Sequence, residues 1–196
     1  MDESFRFSST ELTNVNDLLL LPDGRIAMGG AGWHGSEILE EDGSFSPTPF
    51  ETAIFYSLAL DREGAVIGAG EGNLAWARLT GRSVDPSFPL RTTEMIGATR
   101  KIFVTRSGNI LAAGYFRGFL GAETNVYSGF FRLTYRGWLD RSYQRLGSEG
   151  YSVMAAAMDE QERVLASYTR TNSSGAASYG LGRWLPEGNK DEGYIP

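Results

Sequence analysis

The sequence predicts an all-β fold: a β-propeller built from four repeats, each a three- to four-stranded antiparallel sheet. Three observations carry that prediction. Glycine, at 25 of 196 residues, stands at roughly twice its average usage and is spread along the chain, as repeated tight turns between short strands require. A strand, turn and strand motif recurs four times. Each copy is followed, in fixed order, by two further short landmarks, and self-similarity of this length is the signature of stacked supersecondary units.

The first landmark reads LLLLPDGRIAMGG (18–30), SLALDREGAVIGAG (57–70), KIFVTRSGNILAAG (101–114) and AAAMDEQERVLASY (155–168). Setting Gly24, Gly64, Gly108 and Glu162 at one turn position brings the flanks into register. Leu18 and Leu20 then match Leu58 and Leu60, Ile102 and Val104, and Ala156 and Met158, while Ile26 matches Val66, Ile110 and Val164. Apolar residues two apart on both sides of a turn rich in Asp, Gly and Ser are what a hairpin with one buried face needs. Gly30, Gly70 and Gly114 end the second strand, and Tyr168 departs from that rule. The fourth copy carries a local conflict. Its SVMAAAMDEQERVLAS (152–167) is helical by propensity alone, yet register with the other three copies predicts strand, turn and strand.

The second landmark is another short strand, in SEILEEDG (36–43), WARLTG (76–81), FFRLTYRG (130–137) and GRWLPEG (182–188). The third is SPTPF (46–50), VDPSF (84–88), LDRSY (139–143) and KDEGY (190–194). Here Asp85, Asp140 and Asp191 are expected to cap turns, each carboxylate accepting a backbone N–H two residues on. That use is preferred over calcium binding, because the acid occurs singly in each copy. The aromatics Phe50, Phe88, Tyr143 and Tyr194 are expected to pack between units. MDESF (1–5) is a further copy of the third landmark alone. It reads as the tail of another repeat, able to complete the last sheet so that no edge is left open. The repeats span approximately 6–50, 51–88, 89–143 and 144–194, in one expected domain. Their lengths differ mainly after the second strand, where AGWHG and EGNLA are short and YFRGFLGAETNVYSG and TRTNSSGAASYG are long. These segments read as loops on one face.

The recurring order of apolar strand, PDG, second strand ending in GG, then RL, DG and D-x-SF resembles the bacterial delta-60 repeat. LLLLPDGRIAMGG with EEDG, and ARLTGRSVDPSF, carry the resemblance most closely, and it runs over nearly the whole chain. The fourth repeat departs from it most, with QER for the DG turn and KDEGY for D-x-SF. The resemblance implies a β-propeller-like scaffold in a larger exported or surface protein, and hence an extracellular location; it implies no catalytic residues.

Composition narrows the function. Lys and Arg total 18 against 24 Asp and Glu, for a net charge of −6 and a pI near 4.9, and no basic stripe is present to neutralise a phosphate backbone, so nucleic acid is not expected as a partner. No run approaches the roughly 20 apolar residues of a spanning helix, so membrane insertion is not expected. The opening MDESFRFSSTELTNVND lacks the basic and apolar stretches of a secretory leader. With 0 Cys and 1 His, disulfides, thiolate metal sites and cysteine nucleophiles are excluded, and no metal or cofactor is expected. Glu40, Glu41 and Asp42, like Asp159 and Glu160, fall in turns, where acids are ordinary. GGAG (29–32) and GAGEGN (68–73) lack the following helix of a phosphate loop.

What remains is a set of aromatic and polar residues after the second strand of each unit: Trp33 and His34, Tyr115 and Arg117, Asn125 and Tyr127, Arg170 and Asn172. As loop residues on one face they form the candidate ligand-binding set, because flat rings flanked by donors suit sugars or a protein partner. The expectation is therefore a non-catalytic interaction or scaffold module with a protein or glycan partner, able to self-associate through open blades. A glycan-binding lectin is the alternative, and an enzyme, lyase or glycosidase, ranks last because the acid/base inventory is thin.

Overall fold

In the computed structural model the described residues are 12–32, 36–46, 54–71, 76–80, 83–88, 95–120, 123–143, 150–171 and 176–196. They form four antiparallel sheets, one per repeat. The first holds β1 (Leu12–Leu20), β2 (Ile26–Gly32) and β3 (Glu37–Leu39). The second holds β4 (Phe55–Leu60), β5 (Val66–Gly70), β6 (Trp76–Thr80) and β7 (Ser83–Val84). The third holds β8 (Met95–Val104), β9 (Ile110–Leu120) and β10 (Glu123–Leu133), and the fourth β11 (Gly150–Met158), β12 (Val164–Thr171) and β13 (Ala177–Trp184). A rudiment of a fourth strand recurs, as β7 in the second sheet and as single bridges in the others, Leu39 to Phe45, Leu133 to Leu139 and Trp184 to Lys190.

The turn register read from the sequence is reproduced in the backbone. Gly24, Gly64 and Gly108 adopt φ of +88°, +79° and +85°, and Glu162, the only non-glycine among the described residues with positive φ, adopts +61°. Each turn is closed the same way: Gly24 donates to the Leu21 carbonyl at 3.0 Å, and Glu162 donates to the Asp159 carbonyl at 3.0 Å. Residues 152–167 accordingly form strand, turn and strand, so tertiary pairing overrides the helical propensity of the alanine run.

Where the other repeats have glycine the fourth has Tyr168, and a glycine on the next strand makes room for its ring. A Cβ at Gly30 or Gly114 would strike the carbonyl of Asn14 or Ala98 on the adjoining strand. In the fourth sheet Tyr168 pairs with Gly180, where a Cβ would stand 2.6 Å from the Tyr168 ring. Gly180 thus leaves the room that the ring fills.

The chain comprises two compact units, Met1–Leu90 and Arg91–Pro196. In the first, Leu21, Ala27 and Ile38 of the first repeat pack against Phe55, Leu58, Val66, Ala77 and Leu79 of the second. In the second, Leu111, Ala113, Phe130 and Tyr143 pack against Val153, Val164, Ala166 and Trp184. Pairing makes the rule plain. The strand row holding Ala27 and Ile38, or Leu111 and Arg132, faces the next sheet with one side, and that sheet answers with its alternate row, such as Val66 and Leu79 or Val164 and Trp184. Tyr143 lies in the shared cluster, as expected of the repeat-ending aromatics, whereas Phe50 lies outside the described residues, as does the MDESF segment.

Candidate functional site

The repeated Asp of the third landmark is built into the sheets as a clamp. One oxygen caps its own turn: Asp85 Oδ1 accepts from Ser87 N at 2.8 Å, Asp140 Oδ1 from Ser142 N at 2.9 Å and Asp191 Oδ1 from Gly193 N at 3.1 Å. The other oxygen holds an arginine of the third strand, Arg78 at 2.7 Å, Arg132 at 2.8 Å and Arg183 at 2.8 Å. Arg132 and Arg183 then lie over the Tyr143 and Tyr194 rings at 4.8 Å. The Ser87 hydroxyl, followed by the Arg78 guanidinium, holds the Asp85 carboxyl down to about 2. Burial pushes the Asp140 carboxyl up, but hydrogen bonds from Ser142 and Arg132 outweigh it and the net direction is down. Burial drives the Tyr143 hydroxyl well above its ordinary range. With both oxygens occupied, each acid fastens the third strand of its own sheet to the turn that follows and is not free to act on a substrate. The arginines were legible as the residue just before Leu79, Leu133 and Trp184, a pattern the turn-based reading did not use.

The acids of the hairpin turns act likewise. Asp42 accepts from Ser44 N at 2.9 Å, and Asp159 accepts from Gln161 N at 3.0 Å and from Arg163 N at 2.9 Å. Gly29 and Gly30 lie within β2 and Gly68 to Gly70 within β5, which leaves the glycine strings as strand. Among the described residues no group of three or more His, Asp or Glu side chains is placed to hold a metal ion.

The expected ligand-binding residues need a correction of setting. Tyr115 and Arg117 lie in β9, Asn125 and Tyr127 in β10, and Arg170 in β12; none is a loop residue. The long segment of the third repeat is a continued hairpin, because its Tyr, Phe, Val and Tyr residues favour an extended chain and a bulge between Ser128 and Phe130 lets pairing resume. Trp33, His34 and Asn172 lie outside the described residues.

The third and fourth sheets nevertheless bring several of these residues to one end. Tyr115 and Arg117 are exposed and share a face of β9, with Ile96 and Tyr127 directly opposite Arg117 in register. Arg170 pairs with Tyr151 and stacks over its ring at 5.9 Å. Tyr151 continues into an aromatic row, 5.2 Å from Tyr168, which stands 5.6 Å from Trp184. A Cβ at Gly129 on β10 would meet the Val153 and Tyr151 side chains at 2.8 Å and 3.3 Å, so β11 lies closely against the third sheet here. Tyr115 and Arg117 of the third sheet and Arg170 of the fourth, the last resting on the buried Tyr151, thus supply guanidiniums and an exposed phenol on neighbouring sheets, a setting for an anion carried on an apolar, hydroxyl-bearing body. Tyr151 and Tyr168 were not in the expected set; in the alignment Tyr168 stood out only as a missing glycine.

No protein-family model matches the chain, and no curated protein matches it. Solved structures match by fold. A protein described as a gluconolactonase aligns with a TM-score of 0.53 at 13% identity, over 94% of this chain and 81% of that one. A gluconolactonase from Xanthomonas campestris aligns with a TM-score of 0.51 at 14% identity, over 86% of this chain and 71% of that one. The extracellular domain of a hybrid two-component system from B. thetaiotaomicron aligns with a TM-score of 0.52 at 14% identity, over 90% of this chain and 24% of that one. The fold is a β-propeller. These likenesses also overturn the expectation of a non-catalytic module, since two of the propellers that match across most of the chain are described as gluconolactonases, which are enzymes. Counting His and Cys measured only imidazole and thiolate chemistry. Asp, Glu, Lys and Tyr also transfer protons, and arginine stabilises developing negative charge without titrating.

Proposed function

We propose that the chain is a hydrolase of the propeller class acting on sugar lactones. The observation that carries this reading is the shared fold with two proteins described as gluconolactonases over 94% and 86% of the chain. The composition of the strand-end site supports it. In lactone hydrolysis water adds to the carbonyl carbon and gives up one proton to base as the carbonyl oxygen becomes an oxyanion; the ring C–O bond then breaks, its oxygen taking up a proton to become a hydroxyl, and the carboxylic acid formed loses its own proton at neutral pH. Arg117 and Arg170 meet the needs of both anions. The exposed ring of Tyr115 offers flat apolar surface to the C–H face of a sugar, with its phenol hydroxyl for the sugar's oxygens.

The test is acid release from D-glucono-δ-lactone and a panel of five- and six-membered aldonolactones, followed in a pH-stat against the uncatalysed rate. Release above background is expected, with Arg117→Ala lowering kcat/KM by about 100-fold, as loss of an oxyanion partner does, and Arg117→Lys recovering part of it. Melting curves of both variants, taken beside the rates, separate a loss of catalysis from a loss of fold. Uncatalysed rates across the whole panel would overturn the proposal.

A further inference from the structure

The seam between the third and fourth sheets is shut along most of its length and opens at one end. Side chains two apart in a strand share a face, so Leu111 and Ala113 of β9 continue into Tyr115 and Arg117, and Val164 and Ala166 of β12 continue into Tyr168 and Arg170. Leu111, Ala113, Val164 and Ala166 pack in one cluster with Tyr168 against it, so these rows face each other. Phe116 meets Phe131 edge-on at 4.5 Å on the other side of the third sheet, which turns Tyr115 and Arg117 towards the fourth. The rows are shut at Ala113 and Ala166, which are 0% and 1% exposed, whereas Tyr115 is 42% exposed and Arg117 beyond it is exposed too. Arg170, half-buried on the opposite wall, rests over the buried Tyr151 ring, which orients its planar fork of donors. Both arginines come from the central strands of their sheets.

Charge points the same way. Arg91–Pro196 carries 13 Lys and Arg against 10 Asp and Glu, a net +3, while Met1–Leu90 carries 5 against 14, a net −9. β9, β11, β12 and β13 hold Arg117, Arg170 and Arg183 and no acid, and Arg183 is taken up by Asp191. Facing sheets stand about 10 Å apart, so Arg117 and Arg170 approach a ligand from opposite sides. Lactone opening makes its two anions at one carbon, the oxyanion first and the carboxylate after it, so a guanidinium on one wall answers both. The guanidinium on the other wall then answers a second anion, one the ligand itself carries, and a single arginine fork matches a carboxylate through two parallel hydrogen bonds. Building on the lactonase reading, we infer that the sugar acid held here bears a carboxylate at each end, and that the lactone opened is that of an aldaric acid. Arg117 takes the reacting carboxyl, and Arg170 is the positioning residue for the far one.

Matched ligands isolate the second carboxylate. D-glucaro-1,4-lactone and D-glucono-1,4-lactone differ only at C6, a carboxylate in the first and CH2OH in the second. The wild type is expected to open the first with a kcat/KM about tenfold higher or more, as an added charged hydrogen-bonded pair gives. In isothermal titration calorimetry it should bind D-glucarate more tightly than D-gluconate by a similar factor, and the gap should narrow as salt rises. Arg170→Gln should bring both ratios to about one, Arg170→Lys should restore part of them, and Arg117→Ala should slow the two lactones alike and keep the rate ratio. Ratios report the subsite even where a variant loses stability, because both ligands meet the same folded fraction. If neither lactone is opened, the lactonase reading falls, while tighter glucarate binding that Arg170→Gln abolishes still upholds the two-carboxylate ligand. Equal rates on the two lactones overturn the inference and leave the lactonase reading standing. Equal binding of the two acids overturns it whatever the rates, and so does a glucarate preference that survives Arg170→Gln.

Discussion

The seam between the first and second sheets and that between the third and fourth solve one packing problem with different chemistry. In the first seam the sheets are tied by polar groups. Asp17 Oδ2 accepts from Ser57 Oγ at 3.0 Å and from Leu58 N at 2.9 Å, and Phe55 N donates to Ser36 Oγ at 3.1 Å. A Cβ at Gly29 would stand 2.9 Å from the Phe55 carbonyl oxygen, so the backbones approach closely. The second seam is aromatic: Phe130 and Trp184 lie 5.0 Å apart, Tyr168 meets Trp184 edge-on, and Tyr143 closes the cluster. The lesson is that the repeat specifies which rows meet and leaves open how the gap is filled, by small residues and a carboxylate or by rings.

The comparison can be broken most severely at Trp184, which is fully buried. Trp184→Ala is expected to destabilise the Arg91–Pro196 unit by about 3–5 kcal/mol, the usual cost of emptying a large aromatic site, measured by urea denaturation. Trp184→Phe should cost far less. It keeps a ring against Phe130 and removes an indole N–H that is buried with no hydrogen-bond partner. Equal losses for the two variants would show that the aromatic packing is not what holds this seam.

At the polar seam, Asp17→Ala deletes the acceptor shared by Ser57 and Leu58 and should cost about 1–3 kcal/mol, a smaller loss than at Trp184. A melt monitored by hydrogen exchange should place the effect in β1 and β4 and leave β11 to β13 unchanged. Loss of protection in the fourth sheet would contradict the separate character of the two seams.

The smallest effect sharpens the part common to both. Asp85 sits at about 2 in the folded chain, against an ordinary 3.8, so its contribution is fully present above about pH 4 and is lost as pH falls from there through about 2. Asp140 and Asp191 are lowered too and act in the same direction. Urea midpoints for the wild type and Asp85→Asn should therefore differ at pH 6 and converge towards pH 2. Parallel curves down to pH 2 would remove Asp85 from the acid response.

Whatever is fixed by local sterics was legible before any coordinates. Aligning Glu162 with three glycines located four turns whose shared backbone conformation is set within four residues, and Asp85, Asp140 and Asp191 cap turns within their own short landmarks. The misread parts depend on partners distant in the chain. Tyr115, Arg117 and Tyr127 read as loop because the segment after the second strand varies in length between repeats, while the pairing that keeps them extended comes from β8 for the first two and from β9 for Tyr127. Asp17 gave no signal, since its role needs Ser57 at a separation of 40 residues. The clamp arginines could have been found, because the spacing from arginine to aspartate is nearly constant through the last three repeats.

Arg78 gathers Asp61, Glu63 and Asp85 at 2.6–2.7 Å, and all four residues belong to one repeat. A module whose ionic fastening is wholly internal can be copied, lost or exchanged by recombination without rewriting its neighbours. Growth of such a gene in steps of one blade needs selection only on the rows that touch.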